Sequence, residues 1–316
     1  MSDPAPSKLS RSWLLFTTSL QVLRQNKRLF LFPIVTSVCS VIMLLFFVAP
    51  ALLYPSGHDL LDLAHWRTLG HQLGLDFELD GSRSALHPNA ILYGYAVVVY
   101  MVSMFTATFF NVAFYHEILK ALAGDPVSIR AGLRFASQRV TTILAWSLFA
   151  GLVGLIIKML EERFGWIGRW VMRFVGMVWS VASVFVIPVM IRDGGTNPLM
   201  LLRSSAGTLR KTWGESLISY VGLTIGSWLV LLGSVVFLAG AVALTMMLNS
   251  AAPIVLAVLV WLVAMLSLAF LVAVAGHVYR CALYVYASEG VVPAPYSPAM
   301  MDAAWKINKS AAAPVS

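Results

Sequence analysis

Charge is what this sequence has least of. Only 11% of its 316 residues are Asp, Glu, Lys or Arg, against 59% hydrophobic ones. A soluble domain carries about 25% charged residues, so this chain cannot cover a particle of its size with polar surface. That excludes a water-soluble globule and makes lipid the solvent for much of the surface. Cysteine is scarce too. Cys39 and Cys281 both lie in long apolar runs, which excludes a disulfide framework and any Cys/His metal spacing; both read as small packing residues. The chain has no glycine-rich phosphate loop, dinucleotide fingerprint, nucleophile elbow or HExxH helix. ATP-driven and conventional hydrolytic roles therefore have no motif behind them, and no cofactor is expected. Residues 1–28 are polar and amphipathic, and the apolar run after them is too long for the core of a cleavable signal.

What the chain does have is long apolar runs. A spanning helix needs about 20 mostly apolar residues, and six stretches approach or exceed that: Leu29 to Leu53, Ile91 to Tyr115, Ile143 to Leu160, Phe174 to Ile191, Leu217 to Leu248 and Ile254 to Tyr284. The expected fold is all-α: one polytopic transmembrane bundle over 1–316. It has a basic segment at 1–28, an external loop at 54–89 and a cytoplasmic tail at 290–316.

Orientation follows from Lys and Arg near the span ends. The first flank holds Lys8, Arg11, Arg24, Lys27 and Arg28. The loop after the second span holds Lys120, Arg130, Arg134 and Arg139; the loop after the fourth holds Arg192, Arg203, Arg210 and Lys211; the tail adds Arg280, Lys306 and Lys309. These are 16 of the 22 basic residues, and their side is taken as the cytoplasm, with both chain ends there and the protein in the cell inner membrane. One loop disagrees, because Lys158, Arg163, Arg169 and Arg173 lie between the third and fourth spans. It is read as a basic external hairpin with Trp166 and Trp170 at headgroup level.

Each odd span is preceded by a stretch with helical apolar periodicity and a basic face. The stripes are Trp13, Phe16, Leu20 and Leu23 before the first span, Ile129, Leu133, Ala136 and Val140 before the third, and Leu202, Ala206, Leu209 and Trp213 before the fifth. Such helices lie in the membrane interface with cations among phosphates. Their expected headgroup contacts are Lys27, Arg28, Arg130, Arg134, Arg139, Arg203, Arg210 and Lys211, and the expected partner is anionic lipid rather than nucleic acid. The even spans run into Gly124, Gly194 and Gly290, each soon followed by Pro or another Gly, which are helix stops. The chain thus reads as three units of interfacial helix, span, hairpin, span and stop.

Five segments carry a resemblance: Leu29-Phe30-Leu31-Phe32-Pro33, Thr108-Phe109-Phe110-Asn111, Ala145-Trp146, Val186-Ile187-Pro188 and Lys211-Thr212-Trp213-Gly214-Glu215. Together they resemble a bacterial integral membrane family classed as a domain of unknown function. More distantly, the alternation of interfacial helices and span pairs is similar to the membrane domain attached to some glycerophosphodiester phosphodiesterases. No catalytic phosphodiesterase domain is present, so that likeness implies a membrane scaffold and no activity.

Polar residues inside spans are site candidates. Asn111, His116, Glu117, His277 and Arg280 share a depth near the cytoplasmic ends of the second and sixth spans. Glu117 could pair with Arg280, and either histidine could shuttle a proton or touch a headgroup; the plainer alternative is helix packing and snorkelling. Pro33 and Pro188 are candidate kinks. Gly222, Gly226, Gly233 and Gly240 form a small-residue stripe for close packing within the bundle. His58, Asp62 and His65 share a helical spacing in the external loop, which suits a divalent metal or a solvated polar face. Three functions remain open: a non-enzymatic lipid-handling scaffold, a small-solute or lipid transporter with a path near Ser103, Thr106, Ser180 and Ser183, and a headgroup enzyme using His116, Glu117 and His277.

Overall fold

The structure is a computed structural model and describes residues 8–74, 89–163, 165–212, 219–298 and 300–301. Among these, every regular element is helical. The chain opens on α1 (Lys8–Gln25), passes through a 3-10 turn (Lys27–Phe30) and enters α2 (Leu31–Leu52). A short α3 (Leu63–Gln72) precedes the long α4 (Ala90–Leu122), and α5 (Ile129–Gln138) leads directly into α6 (Val140–Arg163). The chain then turns back through α7 (Trp166–Ala182) and α8 (Val186–Asp193), and finishes with α9 (Pro198–Thr212), α10 (Ser219–Leu248) and α11 (Ala252–Glu289).

Five stretches are long and apolar enough to cross a membrane: Lys27–Leu52, Ala90–Leu122, Val140–Arg163, Gly168–Asp193 and Ala252–Glu289. They coincide with the first four and the sixth of the predicted spans. By composition this is a membrane protein. The remaining predicted span is α10, whose described apolar run, Leu232–Leu248, is shorter.

The glycine stops do what their chemistry allows. Gly124, Gly194 and Gly290 all have positive φ, at 87°, 66° and 69°, the left-handed conformation that closes a helix and that glycine adopts without a Cβ penalty. The two prolines behave differently from each other. Pro33 lies in the first turn of α2, where its missing N–H needs no partner, so it causes no kink. Pro188 follows the break between α7 and α8, where Ser183 to Phe185 leave the helix. It cannot donate to the carbonyl of Val184. The other groups freed by the break are met from α9: Phe185 N–H donates to Ser205 Oγ at 3.0 Å, and Ser205 Oγ–H donates to the Ala182 carbonyl at 2.6 Å.

The three short helices before α2, α6 and α10 pack by one rule. α5 lies on α4, the span before it, and α9 lies on α8, the end of the span before it. α1, which leads into α2, lies on α11. The three pairs close a ring. The buried apolar cluster sits in that ring: Leu23, Leu29, Phe32, Ile118, Ala136, Ile143, Val189, Leu201, Val278 and Met301 are all at most 2% exposed.

Beyond the ring the spans bury little. α2 buries Phe32 and nothing after it, and α11 buries only residues from Val274 onward. Leu45, Val263 and Leu266 are 59%, 65% and 69% exposed, a surface suited to hydrocarbon rather than water. Gly233 and Gly240 meet nothing that a Cβ would touch, so the expected close packing of the glycine stripe does not occur at those positions; Gly222 and Gly226 lie outside the described side chains. The close approaches are elsewhere. A Cβ on Gly132 of α5 would stand 2.8 Å from the Ala113 carbonyl oxygen, and Cβ atoms on Gly151 and Gly154 of α6 would strike Met101 and Tyr100 of α4.

The apolar stripes of the short helices are therefore spent largely on protein. Ala136 is buried, with Ile129 and Leu133 packed against the core. In α9 the buried line is Leu201, Ser205 and Leu209, set partly to one side of the expected Leu202, Ala206 and Leu209. In α1 Leu23 is buried, and Phe16 and Leu20 pack against the core.

Candidate functional site

The five polar residues expected to converge divide between two faces of α4. Successive helical residues turn by about 100°, so Tyr115 and Glu117 project to nearly opposite sides. Glu117 looks toward α5 and Tyr115 toward α11.

On the α5 side, Glu117 is fully buried. Its Oε2 accepts the backbone N–H of Ser128 at 2.6 Å, and Lys120 Nζ stands 4.0 Å away. Ser128 is the N-cap of α5, and its own side chain makes no capping bond. A carboxylate from the neighbouring helix thus satisfies one end donor and sits where the α5 dipole favours negative charge. Glu117 Oε1 has no hydrogen-bond partner among the described residues; the nearest cation-forming group is His116 Nε2 at 3.9 Å. The His116 ring stacks on Phe135 at 3.8 Å and 8°, and Arg139 lies over the Phe135 ring at 4.8 Å. Arg139 Nη1 also donates to the Met190 carbonyl at 2.8 Å, one of the unpaired acceptors that end α8. A Cβ on Gly194 would approach that guanidinium to 3.0 Å. Arg139 is therefore a cap joining α5 to α8. The expected pairing of Glu117 with Arg280 does not form.

On the α11 side, Tyr115 Oη is the hub. Arg280 Nη1 donates to it at 2.9 Å, and it lies 2.9 Å from His277 Nδ1. A phenol has one proton. With Arg280 donating to its oxygen, the buried phenol proton has Nδ1 as its acceptor among the described residues, and an accepting Nδ1 in a neutral imidazole corresponds to a proton on Nε2. Asn111 lies one turn before Tyr115 on α4 and makes no side-chain hydrogen bond among the described residues. Tyr115 was invisible from sequence, because a tyrosine at the end of an apolar run looks like an ordinary core aromatic.

Among the expected headgroup contacts, Lys27, Arg28, Arg130, Arg134, Arg203 and Arg210 are exposed. None of them forms an ion pair among the described residues; Arg28 Nη1 donates to the Val127 carbonyl at 3.2 Å. The Lys211 side chain lies outside the described residues. Arg192 is paired, 3.0 Å from Glu289.

In the loop after α2, the helical spacing of His58, Asp62 and His65 fails because α3 begins only at Leu63, with Asp62 as its N-cap. His65 is 1% exposed; its Nε2 donates to the Ala51 carbonyl at 3.1 Å and its Nδ1 accepts from Ser56 Oγ at 2.6 Å. Both nitrogens are occupied, and the described residues contain no metal-holding group. The acidic residues of 75–88 lie outside the described residues. In the α6–α7 hairpin, Arg173 Nε meets Glu161 at 3.3 Å, and Lys158, Glu162 and Arg169 share the same open depression of about 570 Å³. Of the hydroxyls considered for a solute path, Ser103 and Ser183 bond carbonyls of their own helices and Thr106 donates to the Met43 sulfur.

A family model described as a family of unknown function (DUF6159) matches residues 89–293, from the N-cap of α4 to just past α11. It contains four of the five segments that carried the resemblance; Leu29 to Pro33 lies before it. No curated protein matches the chain, and no solved structure does, so the likeness to phosphodiesterase membrane domains gains no support from either.

Proposed function

Because the chain belongs to the DUF6159 family, whose function is unknown, we propose from its own geometry that it is a non-enzymatic, six-span inner-membrane protein whose helical ring binds anionic lipid headgroups of the cytoplasmic leaflet. The observation that carries this reading is the set of exposed cations on the ring that form no ion pair among the described residues: Lys27, Arg130, Arg134, Arg203 and Arg210.

Depth supports it. α4 and α11 have 33 and 38 residues, about 50 and 57 Å at 1.5 Å per residue, while the hydrocarbon core is about 30 Å thick. Tyr115 and His277 each lie twenty-five residues beyond the first residue of their helices, about 37 Å along. With the far ends of both helices at the outer boundary, the ring falls at the inner headgroup layer. The span count has a topological argument behind it. Ser19 of α1 and Tyr296 beyond α11 share a hydrogen bond at 2.8 Å, which supports both ends of the bundle lying on one side. An even number of crossings fits that arrangement, with α10 as the sixth. Burial pushes the Tyr296 phenol well above its ordinary pKa, so it stays protonated for this bond. The positive-inside rule, applied to the majority of the basic residues, puts the ring in the cytoplasm, and the basic α6–α7 hairpin is then external.

Each basic residue near an anionic surface contributes about 1 kcal/mol. The protein reconstituted into mixed vesicles is expected to select spin-labelled phosphatidylglycerol over phosphatidylcholine several-fold, less so at high salt. The combined change Arg130→Glu, Arg134→Glu, Arg203→Glu and Arg210→Glu is expected to abolish that preference. Equal association of both lipids with the unaltered protein would remove the basis for the proposal.

A further inference from the structure

Among the described residues, the Tyr115–His277–Arg280 group has unused donors and no counter-ion. Arg280 spends one N–H on Tyr115, and no carboxylate lies within ion-pair distance of it among the described residues. A guanidinium has five donors in a planar fork, so most of this one is unmet, in a half-buried position where unsatisfied charge is costly. His277 is the second open donor: its Nδ1 faces the Tyr115 hydroxyl, and its Nε2–H has no hydrogen-bond partner among the described residues. The two side chains stand one turn apart on α11, and the same phenol oxygen fixes both. An open guanidinium fork and an imidazole N–H one turn away, with no carboxylate within ion-pair distance of the arginine among the described residues, suit the oxygens of a phosphate group.

The surroundings favour a lipid as the source of that phosphate. Ala269, Ala273 and Gly276 precede Arg280 at i−11, i−7 and i−4, so all four share one stripe of α11. The three small residues are exposed, and a Cβ on Gly276 would touch nothing within 4 Å. A short lane of small side chains, bordered by the exposed Val272, therefore leads along α11 to Arg280. An acyl chain lying in it would bring its phosphodiester to Arg280 and His277.

We propose that Tyr115, His277 and Arg280 form a discrete binding site for the phosphodiester of one glycerophospholipid, whose acyl chain lies along Ala269, Ala273 and Gly276. This rests on the reading of the ring as the inner headgroup layer, but it is a single site distinct from the diffuse attraction of the outer arginines.

Native mass spectrometry of the full chain in mild detergent separates the two. With phosphatidylglycerol added, the unaltered protein is expected to retain one lipid molecule that inorganic phosphate does not displace. The double change Arg280→Gln and His277→Gln is expected to lower that occupancy by about tenfold or more, and Arg280→Lys to recover only part of it, since an ammonium lacks the fork. Tyr115→Phe is expected to weaken it by a smaller factor, by releasing both donors from their common anchor. The quadruple outer-arginine variant is expected to keep the bound lipid while losing the vesicle preference described above. Undiminished single occupancy in an Arg280→Gln, His277→Gln protein with an unchanged melting temperature would overturn the site. Displacement by inorganic phosphate alone would overturn the lipid assignment.

Discussion

Replacing Gly132 with leucine is expected to push α5 off α4 and open the ring. A Cβ at this position would stand 2.8 Å from the Ala113 carbonyl oxygen, 2.9 Å from Glu117 Cγ and 3.0 Å from Phe32 Cζ. The first of these is backbone, which cannot swing aside, and Phe32 is fixed by stacking on Phe114 at 5.5 Å. Overpacking at a close contact costs about 1–3 kcal/mol for small additions. Gly132→Ala should fall in that range, and Gly132→Leu should exceed it. The damage spreads, because moving α5 also withdraws Ser128 from Glu117 and leaves a buried carboxylate without its bonded donor. Gly207→Ala is the control. Gly207 is exposed on α9 with open space beside it, and alanine there should stabilise the helix by up to about 1 kcal/mol. Thermal melting of the purified protein in detergent reads both effects; an unchanged midpoint for Gly132→Leu would mean that α5 does not pack where the structure has it.

Ser205→Ala is expected to be the most damaging loss of a single hydroxyl. Ser205 is fully buried and bridges the break in the fourth span, accepting from Phe185 N–H and donating to the Ala182 carbonyl. Removing it takes an acceptor from the buried Phe185 N–H and a donor from the half-buried Ala182 carbonyl, each loss costing about 1–3 kcal/mol. Ser205→Thr keeps the hydroxyl and should retain most of the stability. The partner test is Pro188→Ala, which restores the N–H that Pro188 lacks and lets the helix run on through the break. In the double variant the cost of Ser205→Ala should shrink, giving a coupling energy of about 1 kcal/mol or more in a melting-based cycle. Additive losses would mean that Ser205 and the proline break are independent.

Much of the fold was legible because membrane physics writes it in large letters. Long apolar runs gave five helices able to cross a membrane, and Gly124, Gly194 and Gly290 gave helix ends, since each stands as a left-handed residue where its helix stops. The short helices were legible as helices, but their facing was not. Ile129, Leu133 and Ala136 form an apolar stripe whether the partner is an acyl chain or α4, and periodicity cannot tell one from the other. The candidate site was half legible for a similar reason. Depth along a span can be counted from sequence, so His116, Glu117, His277 and Arg280 were placed at one level. Which sides of α4 and α11 meet depends on tertiary packing. Glu117 therefore went to Ser128 and Arg280 to Tyr115, two residues whose types gave no signal. Ser205 was hidden the same way, although Pro188 marked the break that it fills. His65 was misread because Asp62 starts a helix instead of lying within one.

Sidedness of the ring is the point on which the lipid reading stands, and impermeant thiol labelling reads it directly. Cys281 is buried and Cys39 lies within α2, so the unaltered protein supplies a low background. Arg134→Cys on the ring should be labelled in inverted inner-membrane vesicles and protected in intact spheroplasts, and Trp166→Cys at the α6–α7 hairpin should show the reverse. Labelling of position 134 from outside would contradict a cytoplasmic ring, and labelling of both positions from the same side would contradict a crossing by α6.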